Sequence, residues 1–138
     1  MSRAAIVAII LTGIIAVPSP ILAASDAEIN SLGDRMSGAF KCSTYASIFH
    51  DQKEQQRLFQ IGLNVGRDYV EGLKSRDDPT SDLSAFIRAA PTDFVVGQMY
   101  ESESTHAFDE IVKDQNGADA AKTQAELRYR ENNCSSLR

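Results

Sequence analysis

The side chains most able to do chemistry in this sequence are two histidines and two cysteines, and neither pair has a catalytic or zinc-binding spacing. His106 and Glu110 are four residues apart and Glu103 is near, so one helical face could present a His and two carboxylates. A zinc site usually takes three or four ligands with more than one His or Cys. We therefore interpret this group as a solvated polar face and predict no metal site.

Nucleophilic catalysis also lacks a sequence signature. The chain has no Gly-x-Ser-x-Gly motif, which exposes a reactive serine at a sharp strand-to-helix turn. The acidic pair Asp77 and Asp78 lies in a polar, proline-bearing stretch that is typical of a turn. Because no nucleophile, base and oxyanion donor can be assembled, we expect no catalytic residues, no cofactor and no enzymatic activity.

The N-terminal segment is typical of an exported protein. A single basic residue precedes an uncharged run from 4 to 17, and prolines and then small residues follow it. We expect residues 1–23 to be a signal peptide, cleaved after Ala23 or Ala24, and residues 24–138 to form one helical domain. The uncharged run is shorter than the ~20 residues of a membrane span, and no second long apolar run follows. The sequence thus predicts a periplasmic or secreted protein without a membrane span.

Export to an oxidising compartment predicts that the two cysteines form a disulfide. Two cysteines in an oxidising compartment usually pair, and Cys42 and Cys134 are 92 positions apart. The bond would tie the first helical region to the C-terminal end of the chain. Neither cysteine belongs to a Cys-x-x-Cys motif, so a pair of reactive thiols is the less favoured alternative. Loop-entropy models value such a closure at about 4 to 5 kcal/mol.

Apolar residues recur at helical spacing along the rest of the chain. Ser25 to Glu28 forms a capping box, and Asp51 starts a second helix that is expected to end near Lys74. No segment alternates with period two over six residues, as a half-buried strand would. We therefore predict an all-α protein, a compact single-domain bundle of five or six helices closed by one disulfide. The two apolar stripes are Ile29, Leu32, Met36 and Phe40, then Leu58, Ile61, Val65, Tyr69 and Leu73.

The second half of the chain predicts shorter helices. Residues 81–89 form one, which carries the apolar residues Leu83, Phe86 and Ile87. A helix capped by Thr92 or Asp93 follows, with a kink in the polar stretch 101–105. Asn116–Gly117 is a helix-stop signal. The last helix is expected from Ala118 to about Asn132, with Ala121, Ala125 and Leu127 as its inner positions.

Glycines within these helices predict close packing. Gly62 and Gly66 lie one turn apart on the most strongly patterned helix, where each glycine costs close to 1 kcal/mol. Close approach of another helix to the glycine backbone would compensate for this cost in stability. A ligand bound in the same gap is the alternative. We expect the same close packing at Gly97. Polar groups beside the apolar runs could line the rim of a groove, and they form our candidate partner surface: Arg67, Asp93, Tyr100 and Glu101.

The stretch from Phe40 to Tyr45, with Cys42 inside it, and the Gly62-x-x-x-Gly66 motif resemble small periplasmic helical proteins of proteobacteria. The nearest named family is the HdeA-type acid-stress chaperones, and the resemblance covers about residues 40–70. It implies an exported helical protein with one disulfide. The separation of the two cysteines is far longer than that family's compact loop. The architecture also resembles periplasmic immunity proteins that block cell-wall-degrading toxins.

Composition limits the function classes. The chain has 138 residues, 14 Lys plus Arg against 19 Asp plus Glu, and a net charge of -5, which argues against a nucleic-acid binder. We favour a binding or inhibitory protein whose partner is another periplasmic protein, and an acidic surface would favour a basic partner. The alternative is an acid-triggered chaperone that opens through self-repulsion when its carboxylates are protonated. A small enzyme is the third interpretation.

Overall fold

The computed structural model describes residues 25–76, 82–113 and 117–138, and all regular structure in these ranges is helical. The prediction of an all-α protein is confirmed, and of the five or six predicted helices the described residues form five. The predicted signal peptide and the acidic pair at 77–78 lie outside the described residues. The helices are α1 (Asp26–Ile48), α2 (Gln52–Lys74), α3 (Asp82–Ala89), α4 (Thr92–Val112) and α5 (Ala118–Glu131), followed by a short 3-10 turn at Cys134–Ser136.

Helices α1 and α2 form a long helical hairpin on which the other elements pack. The capping box predicted for α1 is present: the Ser25 hydroxyl accepts from the Glu28 backbone, and the Glu28 carboxylate accepts from the Ser25 backbone. Asp51 is the N-cap of helix α2, and its carboxylate accepts a hydrogen bond from the backbone N–H of Glu54 at 3.0 Å. These local bonds satisfy donors that a helix leaves open at its first turn.

Three predictions for the second half of the chain are wrong. Helix α4 runs without a kink from Thr92 to Val112. The polar residues at 101–105 are exposed or half-buried on its surface and do not interrupt its backbone. Its N-cap is Pro91 and no side chain caps it, since the Thr92 hydroxyl bonds to Glu71 and Lys74 of α2. Leu127 of α5 is 45% exposed, so it is not an inner position.

The interior has two apolar clusters. The first surrounds the cysteine pair at one end of the hairpin, and we call it the disulfide-end core. The second lies between α1, α2, α3 and α4, and we call it the groove-end core. The buried members of the disulfide-end core are Cys42, Tyr45, Ala46, Leu58, Ala107, Ile111, Ala125 and Cys134. Those of the groove-end core are Met36, Phe40, Val65, Val70, Ile87, Val95 and Val96.

The C-terminal residues are fastened to the hairpin at several points. The sulfur atoms of Cys42 and Cys134 lie within bonding distance, as predicted, and their Cα atoms are 5.6 Å apart. The Arg57 guanidinium of α2 donates to the carbonyl of Leu137 at 2.6 Å and to that of Cys134 at 3.2 Å. The disulfide-end core is therefore closed by both covalent and polar contacts.

The glycines divide into two kinds. A Cβ at Gly62 would overlap the ring of Phe40, and one at Gly66 would lie 2.8 Å from Cγ1 of Val96. Both glycines thus let apolar side chains of other helices reach the α2 backbone. Nothing lies within 4 Å of a Cβ placed at Gly97, so the close packing predicted there is absent. The Gly97 position faces open space on α4.

Candidate functional site

A groove of about 460 Å³ opens between the end of α2, the whole of α3 and the first half of α4. We call it the α3 groove. Its size and mainly apolar lining are those of a site that takes a ligand or a cluster of partner side chains. The apolar lining residues are Tyr69, Leu73, Leu83, Phe86, Ile87, Val95 and Met99, and the polar ones are Arg76, Ser84, Arg88, Gln98 and Ser102.

Helix α3 leaves most of its apolar surface outside the core. Leu83, Phe86 and Ile87 share one face because they lie three and four residues apart. Only Ile87 is buried, at 9% exposure, whereas Leu83 is 67% and Phe86 47% exposed. The Phe86 ring lies edge-on to that of Phe94, which is 52% exposed, with centroids 6.3 Å apart. Apolar patches bordered by polar residues are typical of interaction sites.

Among the described residues that line the α3 groove, the charged side chains are of one sign. Arg76 and Arg88 belong to the lining, and the described lining residues include no carboxylate. The Arg76 guanidinium forms an ion pair with Asp26 at the start of α1, with Nη2 and Oδ1 2.9 Å apart. Its Nε is buried and has no hydrogen-bond partner among the described residues. The lining is thus apolar and cationic in a protein that is acidic as a whole.

The structure brings together two of the four residues of the predicted partner surface. Arg67 of α2 donates through Nε to Oδ1 of Asp93 on α4 at 2.7 Å. This hydrogen bond lowers the pKa of the Asp93 carboxyl and raises the pKa of Arg67. The pair is exposed, so water and salt screen it and its contribution to stability is small. It joins α2 to α4 outside the α3 groove lining.

The other two predicted surface residues lie apart from this pair. The half-buried Tyr100 ring packs edge-on against Phe40 and Phe59, with centroids 5.2 and 4.9 Å away. Glu101 is exposed and lines a depression that also includes His106. The residues that line this depression belong to α4, apart from Lys113 directly after it, so no second helix among the described residues encloses it. Tyr100 is therefore a packing residue, and Glu101 lies on an open helix face.

The ionisable groups at the disulfide end are engaged with one another. The Glu54 carboxylate accepts from Arg57 at 2.6 Å and from the Tyr129 hydroxyl, and the bond from Arg57 lowers the pKa of Glu54. The Tyr45 hydroxyl donates to Glu110 at 3.3 Å. Burial raises the pKa of Tyr45 and of Tyr129 to about 12. These side chains fasten helices together.

Metal binding and membrane insertion have no support in the described ranges. Residues 25–76, 82–113 and 117–138 contain no cluster of three or more His, Cys, Asp or Glu able to hold a metal ion. None of the helices in the same ranges combines the length and the apolar character that spanning a bilayer requires.

The sequence prediction missed the α3 groove. Leu83, Phe86 and Ile87 were recognised as the apolar residues of a short helix, which normally means a core-facing stripe. The one available signal was the density of large apolar residues in so short a helix, with Phe94 close behind. In the structure this short helix buries Ile87 against α2 and α4 and leaves Leu83 and Phe86 exposed.

In comparisons with known proteins, no family model, curated protein or solved structure matches the chain.

Proposed function

We propose that this protein is an exported, non-enzymatic binding protein of the periplasm, which docks apolar side chains of another protein in the α3 groove. The observation that carries the proposal is the patch of Leu83, Phe86 and Phe94 beside the groove. Burying such apolar surface against a partner is favourable, by about 25 cal/mol for each Å² removed from water. The described residues leave this surface uncovered.

The rest of the molecule suits a rigid binding module. The Cys42–Cys134 pair and the Arg57 contacts fasten the C-terminal residues at the end opposite α3. A scaffold held in one conformation loses less entropy when a partner binds, and this favours affinity. An inhibitor or immunity-type partner of a periplasmic enzyme would need such a preorganised surface. We place the protein in this class.

Affinity capture with a matched pair of variants tests the proposal. The oxidised protein, its Phe86→Ser variant and its Phe108→Ser variant are each used to capture proteins from periplasmic extract at neutral pH. Phe108 is the matched control because it is 49% exposed on α4, against 47% for Phe86, and lines a separate depression with Val112 instead of the α3 groove. We expect one stoichiometric partner that Phe86→Ser loses and Phe108→Ser retains.

Three outcomes would count against this function. Equal capture by both variants would place the binding surface elsewhere. Turnover of a substrate by the purified protein would contradict the non-enzymatic assignment. Failure of the N-terminal segment to direct export of a reporter protein would contradict the proposed compartment.

A second candidate, the acid-triggered chaperone, is supported by the placement of Glu54. Its carboxylate holds Arg57 of its own helix and Tyr129 of α5, so its protonation would weaken the contact between α2 and α5. Because the pKa of Glu54 is lowered from its ordinary value of 4.5, apolar surface would then be exposed only in acid below that value. Protection of many unrelated proteins from aggregation in acid, with no stoichiometric partner at neutral pH, would favour this function over the first.

A further inference from the structure

We infer that the segment docked in the α3 groove carries carboxylates beside its apolar residues. This inference rests on the proposed function and adds the charge of the partner segment. It is drawn from the lining itself, in which Arg76 and Arg88 are the charged residues that the structure describes. A guanidinium beside an apolar surface suits a carboxylate attached to an apolar segment, because its planar set of N–H donors can hold both oxygens.

Arg76 offers a donor for such a carboxylate. Its Nε is buried and lacks an acceptor among the described residues, while its Nη2 lies 2.9 Å from Asp26. The Asp26 side chain is 87% exposed, so this ion pair is screened by water and weak. Because Nε is buried, a partner carboxylate would reach it by turning the Arg76 side chain away from Asp26, and would then take the place of Asp26.

The lining predicts the opposite charge preference from the whole protein. A net charge of -5 favours a basic partner at long range. At physiological ionic strength the screening length is about 8 Å, so groups lining the site outweigh distant ones. An acidic segment should therefore bind better than a basic one once it reaches the groove. The groove lining and the net charge therefore predict opposite preferences, which a binding measurement can tell apart.

Two designed peptides test the charge preference. They share a stripe of leucine and phenylalanine at helical spacing, and are flanked by glutamates in one and by lysines in the other. Each is titrated into the isotopically labelled protein at about 0.15 M salt, and amide resonances report both the affinity and the place of binding. We expect the glutamate peptide to bind about fivefold more tightly and to shift resonances of α3 and of the adjoining α2 and α4 residues.

Variants assign the preference to the arginines. In Arg76→Gln with Arg88→Gln, the two peptides should bind with affinities within about twofold of each other, and Arg88→Gln alone should lose part of the preference. Arg130→Gln is the control, because Arg130 is exposed on α5, away from the groove lining. It should keep the full preference. Circular dichroism and thermal unfolding establish that each variant is folded.

The outcomes separate failure of the inference from failure of the proposed function. If the lysine peptide binds the groove as well as or better than the glutamate peptide, the inference is wrong and the docking site stands. If neither peptide shifts groove resonances, both are wrong. A concentration-dependent dimer that Leu83→Ser abolishes would assign the groove to a second copy of the chain and overturn both.

Discussion

The two ends of the helical hairpin differ in how fully they bury their apolar side chains. At the disulfide end, Tyr45, Leu58 and Ile111 are fully buried, and polar contacts from Arg57 fasten the C-terminal residues over them. At the groove end, α3 contributes one buried side chain, Ile87, and leaves Leu83 and Phe86 in the open. The same kinds of residue therefore form a core fastened by cross-chain contacts at one end and an open groove at the other. The exposed Phe108 and Val112 line a separate depression beside the disulfide-end core.

The difference shows what decides whether an apolar stripe becomes core or surface. Helix α5 lies against α1 and is fastened by the cysteine pair and by Tyr129, which bonds to Glu54. Helix α3 has eight residues, packs on α2, and touches α4 through the edge-on rings of Phe86 and Phe94. A stripe is covered only where enough neighbouring structure is held in place over it.

The largest effect on this contrast should come from breaking the cysteine pair. Cys42→Ser with Cys134→Ser should lower the free energy of unfolding by about 2 to 5 kcal/mol, because a long loop in the unfolded chain is no longer closed. Denaturant unfolding with and without reductant measures the loss. Reductant should destabilise the natural protein to the same degree and leave the double variant unchanged. An equal response to reductant in both proteins would contradict the pairing.

The groove end should depend on a single anchor. Ile87→Ala should cost about 2 to 3 kcal/mol, because Ile87 is buried in the groove-end core. Leu83→Ala, on the same helix face, should change stability by less than about 0.5 kcal/mol because Leu83 is exposed. Thermal unfolding compares the two. Similar costs for both would mean that α3 is buried more evenly than the structure shows.

Alanine substitutions at Gly62 and Gly97 should change stability in opposite directions. Gly62→Ala should destabilise the protein by about 1 to 3 kcal/mol, since the added Cβ overlaps the buried ring of Phe40. Gly97→Ala should stabilise it by about 0.5 to 1 kcal/mol, because alanine favours the helix and the space there is open. Chemical denaturation checks both signs. A stabilising Gly62→Ala would contradict the close packing of α1 on α2.

Acid should act first on the disulfide end. The pKa of Glu54 is lowered on folding, so its contribution to stability is present above the unfolded value and is lost as pH falls below it. At neutral pH, Glu54→Gln should cost about 1 kcal/mol, because hydrogen bonds to a charged group are lost at a partly exposed site. Below the ordinary value of 4.5 the difference from the natural protein should shrink.

A control separates the role of Glu54 from general loss of charge. Glu126→Gln removes a carboxylate that pairs with Arg130 within α5, and it should change stability by less than about 0.5 kcal/mol. Unfolding curves between neutral pH and pH 3 compare the two variants. A cost of Glu54→Gln that grows in acid would have the wrong sign for a lowered pKa.

Local signals in the sequence were sufficient to predict much of the fold. Ser25 with Glu28 marked the start of α1, Asp51 marked that of α2, and the cysteines predicted their pairing. The predicted kink in α4 is wrong because polar residues on an exposed helix face do not interrupt the backbone. The capping signals depend on neighbours in the chain, and the pairing follows from there being only two cysteines, so spacing and composition reveal both.

The candidate site depends on packing between distant elements, and the sequence could not predict it. Helical spacing places Leu83, Phe86 and Ile87 on one face but does not say how far α2 and α4 extend over that face. For the same reason Gly97 and Leu127 were assigned to packed positions that the structure leaves open. Arg67 and Asp93 of the predicted partner surface lie together in the structure, but outside the lining of the α3 groove.

Site-specific photo-crosslinking is the most direct test of the proposal that the groove end binds and the disulfide end is closed. A benzoyl derivative of phenylalanine replaces Phe86 in one sample and Phe108 in another, and both proteins are irradiated in intact cells. We predict one abundant adduct from position 86, lost when Leu83→Ser is added, and no adduct of that mass from position 108. The same adducts from both positions, or adducts from position 108 alone, would contradict the assignment of binding to the α3 groove.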